Sequence, residues 1–160
     1  MALRPRVVVL VGLPGCGKST WAAKQKLPVL SSDAIRAVLA DDERDQSIHK
    51  RVFATIRYLL RHRIQIGRPV TCIDATHLTP WERRPYLKLA GCRVEAVFFN
   101  VPLATCKKRN RGRARVVPDE VLERMAEKLV KPTRAEGFAR VTVVPPKRQG
   151  TSQPKRGRKQ

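Results

Sequence analysis

Val7-Val8-Val9-Leu10-Val11-Gly12-Leu13-Pro14-Gly15-Cys16-Gly17-Lys18-Ser19-Thr20 is the stretch that decides the architecture. It begins with an unbroken apolar run, mostly β-branched and closed by glycine, the pattern of a strand buried on both faces of a parallel sheet. Residues 12–19 then fit G-x-x-x-x-G-K-[ST] without departure, between that strand and a helix expected over residues 19–26. The glycines at 12, 15 and 17 let the backbone turn tightly and aim successive N–H groups inward. The helix that follows adds its positive end. Lys18 supplies a point charge for the β and γ phosphates, and the Ser19 hydroxyl a ligand for Mg²⁺. Gly12, Gly15, Cys16, Gly17, Lys18, Ser19 and Thr20 are therefore the expected residues of a nucleoside-triphosphate site, with ATP or another triphosphate as ligand.

Outward from this stretch, strands and helices alternate. A short strand at Val29-Leu30 precedes a helix that Ser32 or Asp33 caps and that runs through Ala40. Ile48, Val52, Ile56, Leu59, Leu60 and Ile64 share one face of a long amphipathic helix over residues 44–66, ended by Gly67. Strands follow at 69–74 and 94–99, separated by a helix that opens at Thr79-Pro80-Trp81 and closes near Gly91. Helices at 103–109 and 118–131 and a strand at 140–144 complete the pattern. The fold class is α/β, with a parallel sheet of about five strands and helices on both faces. One domain is expected over residues 1–144.

The chain has 160 residues, 34 of them Lys or Arg and 13 Asp or Glu, for a formal net charge of +21. That excess predicts attraction to a polyanion. Six basic residues fall in the nine positions 107–115. Six more fall in residues 145–160, which hold no acidic residue and read as a disordered tail, either a solubilising end or a grip on nucleic acid. No apolar run is long enough to span a membrane, and residues 1–6 lead into no secretory signal core. The cysteines Cys16, Cys72, Cys92 and Cys106 have neither CxxC nor zinc-finger spacing, which fits a reduced, cytoplasmic chain.

A phosphate cradle alone does not separate a kinase from a GTPase or a motor. The chain is short for a motor and carries no N-K-x-D element. Asp33 falls at the carboxyl end of the second strand, where open α/β sheets place their ligands. Its carboxylate can accept the proton of an attacking hydroxyl, with Arg36 one turn along to hold an acceptor phosphate or orient the base. Equally, the two can be a helix cap and an ordinary i,i+3 ion pair.

The ordered set GLPGCGKST, SSDAIR, CIDATH, KKRNRGR with VVPDEVLERM, and KPTRAEGF resembles the polynucleotide 5′-hydroxyl kinase family over residues 5–144. The resemblance implies a P-loop kinase fold with a basic lid, and ATP- and Mg²⁺-dependent transfer of a γ-phosphate to the 5′-hydroxyl of DNA or RNA, as in end healing. It implies that Asp33 is the general base, with Arg36 beside it or on the acceptor phosphate. Asp74 would shape the Mg²⁺ or acceptor side, and Arg109 and Arg113 would be the lid arginines over the ATP phosphates. Phosphatase and ligase partners would be separate chains. A small-molecule hydroxyl kinase and a nucleotide-gated nucleic-acid-binding module are the alternatives.

His77 departs from the family pattern, which has asparagine there. It is expected in a partly exposed loop, without a role or titrating near neutral pH beside the acceptor. Arg83 and Arg84 are candidates for a polynucleotide path beside Asp74. Trp81 is expected to pack the start of its helix rather than stack on a base. His49 and His62 read as surface residues, and Cys16 as a contributor of backbone geometry open to oxidation or alkylation.

Overall fold

Val7, Val9 and Val11 face one layer of apolar side chains, while Val8 and Leu10 face another. This is the period-two alternation of a strand covered on both sides. That strand, β1 (Arg6–Val11), is the centre of the molecule in the computed structural model, which describes residues 3–147. Around it the chain forms α1 (Lys18–Lys24), β2 (Val29–Ser31), α2 (Ser32–Ala40), α3 (His49–Gln65), β3 (Val70–Asp74) and α4 (Pro80–Leu87). Then come β4 (Arg93–Phe99), α5 (Leu103–Arg111), α6 (Asp119–Lys128), a 3₁₀ turn at Arg134–Glu136 and β5 (Arg140–Val144). The five strands are all parallel, in the order β2-β3-β1-β4-β5. The α/β class and the strand count expected from the sequence are both met.

One face of the sheet is covered by Val52, Ile56 and Leu60 of α3 and Tyr86 of α4. The other is covered by Ala22 of α1, Cys106 of α5 and Met125 of α6. Each fully buried valine or leucine of β1 contributes about 1.5–3 kcal/mol of transfer free energy. The chain builds β2 and β3 on one side of β1, then β4 and β5 on the other. The crevice at the carboxyl ends of β1 and β3 is thus the switch point where such sheets bind ligands.

Several element limits move for local reasons. Ser31, not Ser32 or Asp33, caps α2 by accepting the Ala34 N–H at 3.3 Å, which frees the Asp33 carboxylate from capping. The long helix starts at His49 rather than Arg44. Asp42 and Asp45 capture the N–H groups of Arg44 and Ser47 at 2.9 Å each, holding residues 42–47 in turns. The last long helix stops at Lys128, because Val130 leaves it to donate its N–H to the Leu78 carbonyl at 2.8 Å. The tail expected at 145–160 lies, from residue 148 onward, outside the described residues.

Candidate active site

Strand β1 delivers the glycine-rich loop, and packing fixes its shape. Gly15 has φ +80°, and a Cβ there would stand 2.6 Å from the Cys106 carbonyl oxygen. A Cβ on Gly12 would meet the Cys16 sulfur at 2.6 Å and Phe99 at 3.2 Å. Cys16 is buried, so its thiol helps pack the loop. The Lys18 ammonium is buried too, donating to the carbonyls of Gly12 and Leu13 at 2.9 Å each, with the Cys16 sulfur at 3.6 Å. Its three donors all point at the loop.

Strand β3 brings Asp74 alongside. The Ser19 hydroxyl donates to Asp74 Oδ2 at 2.6 Å, and Asp74 is buried at the strand end. A hydroxyl and a carboxylate oxygen side by side are the hard donors that Mg²⁺ takes together with waters and phosphate oxygens. The pair fits that ion, and among the described residues no cluster of three or more His, Cys, Asp or Glu offers an all-protein cage instead. Thr20 is exposed and lines the same cavity.

Across the cavity, of about 650 Å³, lie Asp33 and Arg36. Arg36 is 3% exposed and donates from one terminal nitrogen to Asp33 Oδ1 at 3.1 Å. Burial holds its guanidinium below the usual arginine range, while the Asp33 charge opposes that shift. Its Nε is the buried side-chain polar atom without a partner among the described residues. A third group joins them: Arg115 donates to the same Asp33 Oδ1 at 2.6 Å. No hydrogen bond from a described residue reaches Asp33 Oδ2.

Helix α5 and the segment after it close the cavity. Arg109 and Arg113 line it, and neither has a carboxylate partner among the described residues. Their neighbours in the run are held elsewhere: Lys107 by Glu123, and Arg111 by Asp119 at 3.1 Å. Asn110, fully buried, pins the segment by donating to the Val117 carbonyl at 2.6 Å and accepting the Val117 N–H at 3.0 Å. His49 and Phe53 also line the cavity, their rings 4.8 Å apart. His49 is exposed as expected, but its place beside the cavity was not.

Three expectations fail. His77 is 2% exposed, not a surface loop residue. Its Nδ1 lies 2.6 Å from the Leu10 carbonyl, which can only accept, so Nδ1 carries the proton and Nε2 accepts the Tyr86 hydroxyl at 3.2 Å. Burial, with the charges of Lys18 and Arg83 adding to it, pushes its pKa down to about 4, so it stays neutral near pH 7. Arg83 is no part of a polynucleotide path. It is fully buried, forked onto Glu136 at 2.7 and 2.9 Å and bonded to the carbonyls of His77 and Val130. Trp81 is 77% exposed and does not pack its helix start, where a Thr79–Glu82 capping box with Pro80 supplies the order. Arg84 is exposed.

Sequence reasoning passed over Arg115 as one more member of a basic run, and Asn110 and Phe53 altogether. The alternation of arginines at 109, 111, 113 and 115 was the available signal. Their even spacing does not by itself separate Arg109, Arg113 and Arg115, which line the cavity, from Arg111, which pairs with α6.

Among the described residues no helix is long and apolar enough to cross a membrane. Solved structures share this fold. A chain of the Pnkp1/Rnl/Hen1 RNA repair complex superposes with a TM-score of 0.70 at 18% identity, over 81% of this chain and 45% of that one. A gluconokinase from Sinorhizobium meliloti 1021 gives 0.57 at 20% identity, over 94% and 85%. A sugar kinase from Janibacter sp. HTCC2649 gives 0.64 at 19%, over 89% and 86%. This chain spans less than half the length of the RNA-repair chain and most of the sugar kinases. The common ground is a kinase-type P-loop fold. A family model described as an AAA domain matches residues 7–132, from the first core valine of β1 to the proline beyond α6, and the chain belongs to that AAA-domain family.

Proposed function

We propose that this protein transfers the γ-phosphoryl group of ATP to the 5′-hydroxyl end of a polynucleotide. The observation that carries the reading is the Asp33 carboxylate, with Oδ2 unengaged among the described residues, in the same cavity as the glycine-rich loop, Lys18, Ser19 and Asp74. A donor cradle and a base that share a cavity are what in-line transfer to a hydroxyl requires.

The loop N–H groups hold the phosphates of ATP, and Lys18 turns from its loop carbonyls toward the β and γ oxygens. Ser19 and Asp74 would hold Mg²⁺, which when bound neutralises charge between those oxygens. Asp33 Oδ2 accepts the proton of the attacking hydroxyl. Arg36 bonds the other oxygen of that carboxylate from its buried position, and Arg109 and Arg113 offset charge on the moving phosphoryl group.

The formal charge of +21 favours a polynucleotide acceptor, because a small neutral acceptor needs no such field. The nearly full-length overlap with a gluconokinase favours a second reading, a small-molecule hydroxyl kinase. Labelled ATP offered with a 5′-hydroxyl oligonucleotide, DNA and RNA in turn, and with a panel of sugars and sugar acids separates them. Transfer to the oligonucleotide that falls steeply between about 50 and 200 mM salt supports the polynucleotide reading. Transfer to a sugar alone overturns it.

A further inference from the structure

The last turn of α5 and the segment that joins it to α6 together reach both halves of the cavity. At one end Arg109 comes within 3.7 Å of where a Cβ on Gly17 would stand, against the donor loop. At the other, Arg115 bonds Asp33 across 82 positions of sequence. Between them the Asn110 side-chain amide bonds the Val117 carbonyl and N–H, so Arg113 and Arg115 are carried on a braced turn, not a loose strap.

We propose that Arg115 is a positioning residue that couples closure of residues 112–118 over the donor site to the orientation of Asp33. This rests on the reading of Asp33 as the base. Arg36 alone touches Asp33 through a single hydrogen bond, which leaves the carboxylate free to rotate and pair both oxygens with the two terminal nitrogens of that guanidinium. Arg115 prevents this by holding Oδ1 from the opposite element, and Oδ2 stays available to a hydroxyl. The same contact seats the segment. The base is therefore set when the donor site is covered, and transfer to an acceptor is favoured over reaction in an open cleft.

Two measurements on the full chain test this. The first is amide hydrogen exchange of residues 112–117 without nucleotide or acceptor, in wild type, Asp33→Asn, Arg115→Ala and the double variant. Exchange about fivefold faster in each single variant, and no faster in the double, is expected for one shared contact. Unchanged exchange in the single variants overturns the coupling, whatever the acceptor proves to be. The second is transfer to the 5′-hydroxyl oligonucleotide. Arg115→Ala is expected to lower kcat/KM for the acceptor by about 10- to 100-fold with KM for ATP little changed, and Arg115→Lys to recover much of it. A rise in KM for ATP alone would make Arg115 a donor-side residue and overturn the proposal. Transfer retained by Asp33→Ala would defeat the base reading itself, and the exchange result would still decide whether the contact seats the segment.

Discussion

Two of the arginine–carboxylate sites among the described residues, at Arg83 and at Asp33, differ in what is left over. Arg83 is sealed: its fork takes both oxygens of Glu136, and one of its terminal nitrogens serves two carbonyls. Around Asp33, two guanidinium groups crowd a single oxygen, and among the described residues the second oxygen is unengaged and buried Arg36 Nε has no partner. A buried polar group without a partner costs about 1–3 kcal/mol. Satisfied valences hold a fold together, whereas unsatisfied ones in a cavity are available to a ligand. On that ground Arg83 and Asp33, both candidates from sequence, part company.

Substitution should separate the two sites. Asp33→Ala is expected to lower phosphoryl transfer by about 10²–10⁴-fold and to lower the melting temperature as well, because it strands the buried Arg36 guanidinium. Transfer of γ-phosphate per folded molecule, measured beside calorimetry, separates the two effects. Arg83→Ala is expected to destabilise by about 3–5 kcal/mol, since it strands the Glu136 carboxylate and two carbonyls. Denaturant unfolding measures that loss, and whatever fraction remains folded should turn over normally. If Arg83→Ala lowers turnover per folded molecule while stability holds, the comparison breaks.

What could be read from sequence follows the same divide. Strand β1 and the glycine-rich loop are contiguous, so their pattern carried their structure, and the parallel sheet followed from it. The Ser31 cap was missed because Ser31, Ser32 and Asp33 can all cap, and only the end of β2 at Ser31 decides among them. Long-range pairs left no local trace. Arg83 meets Glu136 across 53 positions, His77 meets Leu10 across 67, and Arg115 meets Asp33 across 82. In sequence Arg83, with Arg84, reads as a polynucleotide path beside Asp74; in the fold Glu136, inside the KPTRAEGF stretch, closes on Arg83.

His77 belongs with the sealed group, and pH tests that assignment. Its pKa is about 4 in the fold against an ordinary 6.5, so between these values the unfolded chain binds the extra proton. The stabilising contribution is complete above about pH 6.5 and is lost as pH falls toward 4, amounting to roughly 3 kcal/mol. His77→Asn should flatten that acid limb in urea unfolding followed from pH 4 to 7. Position 77 has φ +46°, which asparagine tolerates better than histidine, so the backbone does not oppose the change. An acid limb of unchanged depth would assign the loss to other groups and remove His77 from the comparison.

The smallest effect is expected where an ion pair is neither sealed nor poised. Lys107 and Glu123 pair between α5 and α6, with Glu123 about half exposed. Solvent screens their attraction and side-chain entropy opposes it, so Lys107→Ala should change stability by less than about 1 kcal/mol. It should also leave transfer intact, because Asn110 and not this pair braces the segment that carries Arg113 and Arg115. A large loss of transfer in Lys107→Ala, at unchanged stability, would mean that the seating of α5 on α6 sets the cavity. The division would then lie between residues that move with that segment and residues that do not, rather than between satisfied and unsatisfied pairs.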